Sequence, residues 1–188
     1  MKKIITLTIK LLSFWLILFA FQHTIFLLYN HIELKEIHLA QILLSFLYAL
    51  GMDISAASYL MCLPALILIA SFFYKYNSTS IKAIHTVNII LIIICLIIGI
   101  SDTALYSVWG TKINSKALSY LVYPKEAIIS FAAVPYWFFI AILFIESFIF
   151  IYKRFFRPGY IAPIKIIFKV IFSIILILLL LTGIRGGF

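Results

Sequence analysis

Charge is what this sequence has least of: only 11% of its 188 residues are charged, and just six are acidic. Soluble domains carry about a quarter charged residues, because a globule in water needs a solvated surface. An ordinary soluble globule is therefore excluded. Cysteine is nearly absent too. Cys62 and Cys95 each sit inside an apolar run, where a free thiol behaves as a small hydrophobe and a disulfide scaffold is excluded. Glycine and proline are scarce, at seven and five, and neither a low-complexity linker nor an internal repeat interrupts the chain. Also missing are a nucleophile elbow, a phosphate-binding glycine loop, a paired-histidine metal motif and a compact acid–base pair. No catalytic residue, metal ligand or cofactor is assigned to this chain on that basis.

What is present is apolar: 65% of the residues are hydrophobic and 17% aromatic. A membrane crossing takes about 20 mostly apolar residues, so the chain is expected to be an all-α polytopic membrane protein of about five transmembrane helices. It reads as one transmembrane domain over residues 1–188, with spans at 4–28, 54–73, 83–106, 128–152 and 166–184. Met1-Lys2-Lys3 before an apolar stretch imitates a secretory signal. The stretch continues to Tyr29 without a small-x-small cleavage site, so it is kept as the first span. From Leu39 to Tyr74 the apolar run is too long for one straight crossing, at roughly 54 Å for about 36 residues. Gly51-Met52-Asp53 is expected to break it, leaving a short interfacial helix over 39–50 and Asp53 as the N-cap of the second span. A second interfacial helix is expected over 114–122, where Ala117, Leu118, Leu121 and Val122 share a face behind Asn114.

The net charge of +9 does not point to nucleic acid, because the basic residues lie singly or in small groups at the ends of apolar runs. That placement fits topology rather than phosphate binding. With the N-terminus inside, the inner side holds ten lysines and arginines against five outside, so the C-terminus is expected outside.

Ionisable residues near membrane spans need a partner or a purpose, since a charge at a span's centre costs about 2.5–3.5 kcal/mol on insertion scales. Threading the spans alternately places Asp53, Asp102 and Arg185 at one outer depth, with Lys125 and Glu126 joining them. There Arg185 can pair with a carboxylate or with a lipid phosphate. The plainer alternative is that Asp53 only caps its helix and Asp102 only faces interfacial water. Nearer the inner leaflet, Glu146 and Lys169 on neighbouring antiparallel spans are expected to form a structural ion pair. The first loop gathers His31, Glu33, Glu36 and His38, but zinc sites need three or four converging ligands with a recognisable spacing, so these read as solvated interfacial residues.

Three segments carry a family resemblance. Gly51-Met52-Asp53-Ile54-Ser55, followed by Ala57, Tyr59 and Leu60, is one. The second is Asp102 with Leu105-Tyr106, Trp109-Gly110, Leu118, Tyr120-Leu121 and Pro124-Lys125-Glu126-Ala127. The third is Gly183-Ile184-Arg185-Gly186-Gly187. Together with five spans they resemble the membrane part of lipoteichoic acid synthase-like transferases of the sulfatase and alkaline phosphatase superfamily, in their Bacteroidetes-type versions. The family pattern often has a basic residue just before the first aspartate, where Leu50-Gly51-Met52 stands here.

The resemblance implies a chain in a bacterial cytoplasmic membrane that anchors an extracytoplasmic catalytic domain and shapes the approach of its lipid. That further domain, expected beyond this chain, would carry a threonine nucleophile and a divalent metal of manganese type, and would move a phosphoglycerol or similar headgroup. Asp53, Asp102, Trp109 and Arg185 are the positions it suggests for headgroup or domain contact, and membrane lipids and the catalytic domain are the partners. The alternative from another class is a small ion or solute transporter or channel subunit using Asp53, Asp102 and Glu146. Such a path needs acids at several depths facing one cavity. A partner-stabilising subunit without a ligand is a third reading. A continuous polar cavity would mark transport; a closed interior with Asp102 at the outer surface would mark the anchor.

Overall fold

The computed structural model describes residues 2–31, 37–74, 78–114, 144–145, 147–154, 156 and 165–186. The chain is an all-α polytopic membrane protein. Among the described residues four helices are long and apolar enough to cross a membrane. They are α1 (Lys2–Tyr29), α2 (Leu39–Phe73), α3 (Ser78–Trp109) and α4 (Ile166–Ile184). Of the expected fourth span at 128–152, residues 144–145 and 147–152 are described; the described part of this segment is helical and continues to 154.

One expectation is corrected. Residues 39–50 are not a separate interfacial helix, and Asp53 is not an N-cap. α2 runs unbroken for 35 residues, about 52 Å, and its N-cap is His38. The reason is energetic. A glycine inside a helix costs only about 1 kcal/mol relative to alanine, too little to end a helix that propagates on both sides of it. Gly51 has nothing near its Cβ position and keeps a negative φ, so the helix passes through it. Pro64 is likewise absorbed within α2. α3 extends past the expected 83–106 at both ends. Of the expected helix at 114–122, Asn114 is described and is not helical; the remainder lies outside the described residues.

Few polar side chains interrupt these helices, and most satisfy themselves locally. Hydroxyls of Thr8, Ser58, Thr103 and Ser173 donate to the carbonyl four residues back, the usual solution where no water is available. Long-range polar contacts then set direction and register. Ile4 of α1 packs on Leu68 and Phe72 of α2, while His23 meets Ser45 and Phe46, so the two run antiparallel. Gln22 Nε2 donates to the Cys95 carbonyl at 2.9 Å and Phe26 meets Tyr106 at 4.9 Å between ring centroids, so α1 and α3 run parallel. The 147–154 segment packs Phe148 and Tyr152 on Phe14. The buried core joins Trp15, Leu18, Ala57, Ile92, Leu96 and Tyr152.

Among the described helices the most extensive pairing is α2 with α4. Lys169 Nζ donates to the Phe72 carbonyl at 2.7 Å, so a cation from α4 satisfies the last turn of α2 and complements its dipole. At the other end of α4, Ser55 Oγ donates to the Ile184 carbonyl at 3.0 Å. Between them Gly183 lies so close to Ser58 that an added Cβ would overlap its hydroxyl and stand 3.0 Å from its Cβ. Small residues thus let two backbones approach, as is common between membrane helices. The 19 residues of α4 span about 28 Å and cover only the second half of α2. The end where α1 begins and α2 finishes is flush; we call it the near end. At the far end α1, α2 and α3 continue beyond α4.

Candidate functional site

The far end holds the sequence's singled-out acids. Asp102 lies two turns before the end of α3. There Gly110, at φ 66°, takes the left-handed conformation and its N–H bonds the Tyr106 carbonyl at 2.9 Å, which closes the helix as a glycine C-terminal cap does. The chain then folds back so that the Ile113 N–H donates to Asp102 Oδ1 at 2.7 Å. The same fold brings Lys112 Nζ to 3.9 Å from Asp102 Oδ2 and to 4.8 Å from the Phe26 ring centroid. Lys112 is 60% exposed and Asp102 22%, so the ion pair itself contributes at most about 1 kcal/mol. The short backbone hydrogen bond is what ties the loop down.

Asp53 is half-buried on α2 and interacts electrostatically with both His23 and Lys112. Ser45 spends its hydroxyl proton on the Ile42 carbonyl at 2.6 Å. His23 Nε2, 3.1 Å from the same oxygen, must therefore carry hydrogen and donate. Asp102 and Lys112 thus form the close polar contact of the far end, with His23 of α1 and Asp53 of α2 as electrostatic neighbours at longer range. Arg185 stands one residue beyond Ile184, whose carbonyl takes the Ser55 hydroxyl, and so lies near the level of Asp53. It is exposed, and among the described residues no carboxylate lies within salt-bridge distance of it. The far end therefore offers one exposed cation, Lys112, beside Asp102, while Arg185 stands exposed at the end of α4, on the side of α2 that Ser55 faces.

Of the other expected positions, Trp109 is the last residue of α3 and its side chain lies outside the described residues. Glu146 also lies outside them, and so do Lys125 and Glu126. Lys169, its expected ion-pair partner, directs its ammonium to the Phe72 carbonyl. In the first loop His31 Nδ1 lies 3.0 Å from the Leu28 carbonyl, a capping role at the end of α1, while Glu33 and Glu36 lie outside the described residues. Among the described residues no group of His, Cys, Asp or Glu converges to hold a metal. Cys62 and Cys95 are free.

Sequence reasoning missed His23 and Lys112. His23 sits inside an apolar run with no local pattern to mark it, and Lys112 reaches the acids only because Gly110 turns the chain. A second polar group, unforeseen as well, lies mid-bundle. His85 Nδ1 is 3.1 Å from the Tyr152 hydroxyl, and Asn88 and Tyr152 are wholly buried beside it. Leu18, Ile92 and Leu96, at most 1% exposed, share a core cluster with Tyr152. A nearly apolar groove of about 260 Å³ runs between α1 and the 147–154 segment, lined by Phe14, Ile17, Phe21, Phe148 and Ile151 among others. Comparison with protein-family models, curated proteins and solved structures finds no match to this chain.

Proposed function

We propose that this chain is the membrane anchor and lipid-presenting module of a lipoteichoic acid synthase-like headgroup transferase or sulfatase-family enzyme. It would act in a bacterial cytoplasmic membrane with its N-terminus inside. The observation that carries this reading is the contact of Asp102 with Lys112 and its loop at the far end, with Arg185 exposed at the end of α4. A lipid phosphate suits the two exposed cations, the arginine through its bidentate fork. Asp102 holds Lys112 and the loop that carries it, and the acids disfavour binding of a free anion deep in the bundle.

The apolar lining of the groove between α1 and the 147–154 segment favours this reading over transport, which needs polar groups at successive depths facing one cavity. Chemistry would belong to an extracytoplasmic partner domain with its own threonine nucleophile and manganese-type metal, as the family resemblance implies.

The test is release or transfer of a labelled headgroup from an anionic phospholipid in proteoliposomes. This chain alone is expected to be inactive. Joined to the catalytic domain it should transfer the headgroup in a metal-dependent way, and Arg185→Ala and Lys112→Ala should each lower the rate. Transfer by this chain alone, or indifference to both substitutions, overturns the reading.

A further inference from the structure

Among the described residues, two buried polar atoms in the middle of the bundle have no hydrogen-bond partner: the Trp15 indole Nε1 and the Asn88 side-chain oxygen Oδ1. Both residues are 0% exposed. One atom is an obligate donor and the other an acceptor, and each unpaired group in an apolar interior is destabilising. Inside a membrane bundle bulk water cannot relieve them.

The register of α1 and α3 puts these two residues at the same height. The helices run parallel, and Gln22 Nε2 bonds the Cys95 carbonyl across them. Stepping back seven residues on each helix reaches Trp15 and Asn88. Seven residues is close to two turns, so both positions return to the facing side about 10 Å below the Gln22 contact. Asn88 commits its amide nitrogen to the Ile84 carbonyl at 2.8 Å, which leaves Oδ1 to face an outside donor. The Tyr152 hydroxyl, beside His85 and Asn88, supplies a further polar group at this level.

We propose that one internal water molecule binds here, accepting the Trp15 indole N–H and donating to Asn88 Oδ1. A single water offers both roles at once, and buried waters are found where two to four otherwise unsatisfied groups converge. The site joins α1 to α3, with the Tyr152 hydroxyl close by. It is separate from the far-end group, so it stands or falls independently of the proposed function.

The test is nuclear magnetic resonance on protein with isotope-labelled tryptophan, reconstituted in lipid nanodiscs. The Trp15 indole signal is identified by its loss in Trp15→Phe. A cross-relaxation peak between that indole proton and a long-lived water is expected in the unsubstituted protein, and Asn88→Leu is expected to abolish it while Ile92→Val leaves it in place. The absence of a water peak in the unsubstituted protein overturns the proposal, as does a signature of direct bonding between the indole and Asn88. Because the first comparison needs no substitution at Asn88, misfolding of that variant cannot rescue or sink the idea.

Discussion

Three helical glycines offer a graded test of the packing, because an added methyl group meets a different environment at each. At Gly51 nothing lies within 4 Å of the new Cβ. Gly51→Ala should therefore gain only helix propensity, stabilising by up to about 1 kcal/mol. At Gly99 the Cβ would meet the Gln22 amide, with its nitrogen at 2.6 Å. That flexible end can move, but it then gives up its bond to Cys95. The propensity gain and the loss of a hydrogen bond of about 0.5–1.5 kcal/mol should nearly cancel.

At Gly183 the Cβ would overlap the Ser58 hydroxyl and crowd its Cβ at 3.0 Å. Rotating the hydroxyl away does not remove the second clash, so α4 must shift from α2. Overpacking of this kind costs about 1–3 kcal/mol. Moving α4 also strains the Ser55 bond to Ile184. Set against Gly51→Ala, Gly183→Ala should be about 1–3 kcal/mol less stable, since the propensity gain is shared and cancels. Ser58→Gly takes away both clashing atoms, so Gly183→Ala should be nearly harmless in that background, and the coupling energy of the double-mutant cycle isolates the clash. Unfolding in mixed micelles or by steric trapping in bicelles gives the free energies. If Gly183→Ala matches Gly51→Ala and Ser58→Gly brings no rescue, the α2–α4 contact is wrong. A Gly51→Ala that destabilises would instead restore the break in α2.

Other substitutions probe single contacts. Lys169→Met should cost about 1–3 kcal/mol, since it leaves the Phe72 carbonyl without its charged donor; the same unfolding assay reads it, and no loss would mean that the last turn of α2 finds another donor. Gly110→Ala places a side chain at φ 66°, for about 1 kcal/mol of strain, and should raise proteolysis near residues 110–114 without reducing insertion. Asp102→Ala removes the acceptor of the Ile113 N–H and should have the same proteolytic signature, whereas loss of membrane insertion would show that Asp102 acts in folding instead.

Much of this architecture is legible from composition. The boundaries of α4 coincide with the expected 166–184 because Lys165 precedes a run of apolar residues and Arg185 and Gly186 follow it. α2 was misjudged because the rule applied, one crossing per twenty residues, speaks only to bilayer thickness. It does not speak to helix continuity, which the cost of one glycine, about 1 kcal/mol, does not interrupt. The far-end acids were placed together from topology alone. Their partners were not, since His23 and Lys112 depend on helix rotation and on a single left-handed glycine. The mid-bundle group needed the parallel register of α1 and α3, which no local pattern encodes.

The length of α4 decides where the polar site sits. At about 28 Å it matches a hydrocarbon core of roughly 30 Å, so its two ends mark the two boundaries. Ser55 bonds the last helical carbonyl of α4, which puts Asp53 at the far boundary and Asp102, still further along α3, in the headgroup layer. Neither acid then bears the insertion cost of a buried charge, about 2.5–3.5 kcal/mol. The exposed Leu43 and Leu47 of α2, at 61% and 66%, would lie outside the hydrocarbon, beyond the far boundary, and the exposed Leu63 and Leu66 within it. Spin labels at these four positions in lipid nanodiscs, with oxygen and a water-soluble nickel complex as competing relaxers, measure the depths directly. Positions 63 and 66 should favour oxygen strongly and positions 43 and 47 should respond to nickel. Equal depth for 47 and 63 would place Asp53 in hydrocarbon and remove the basis for headgroup contact there.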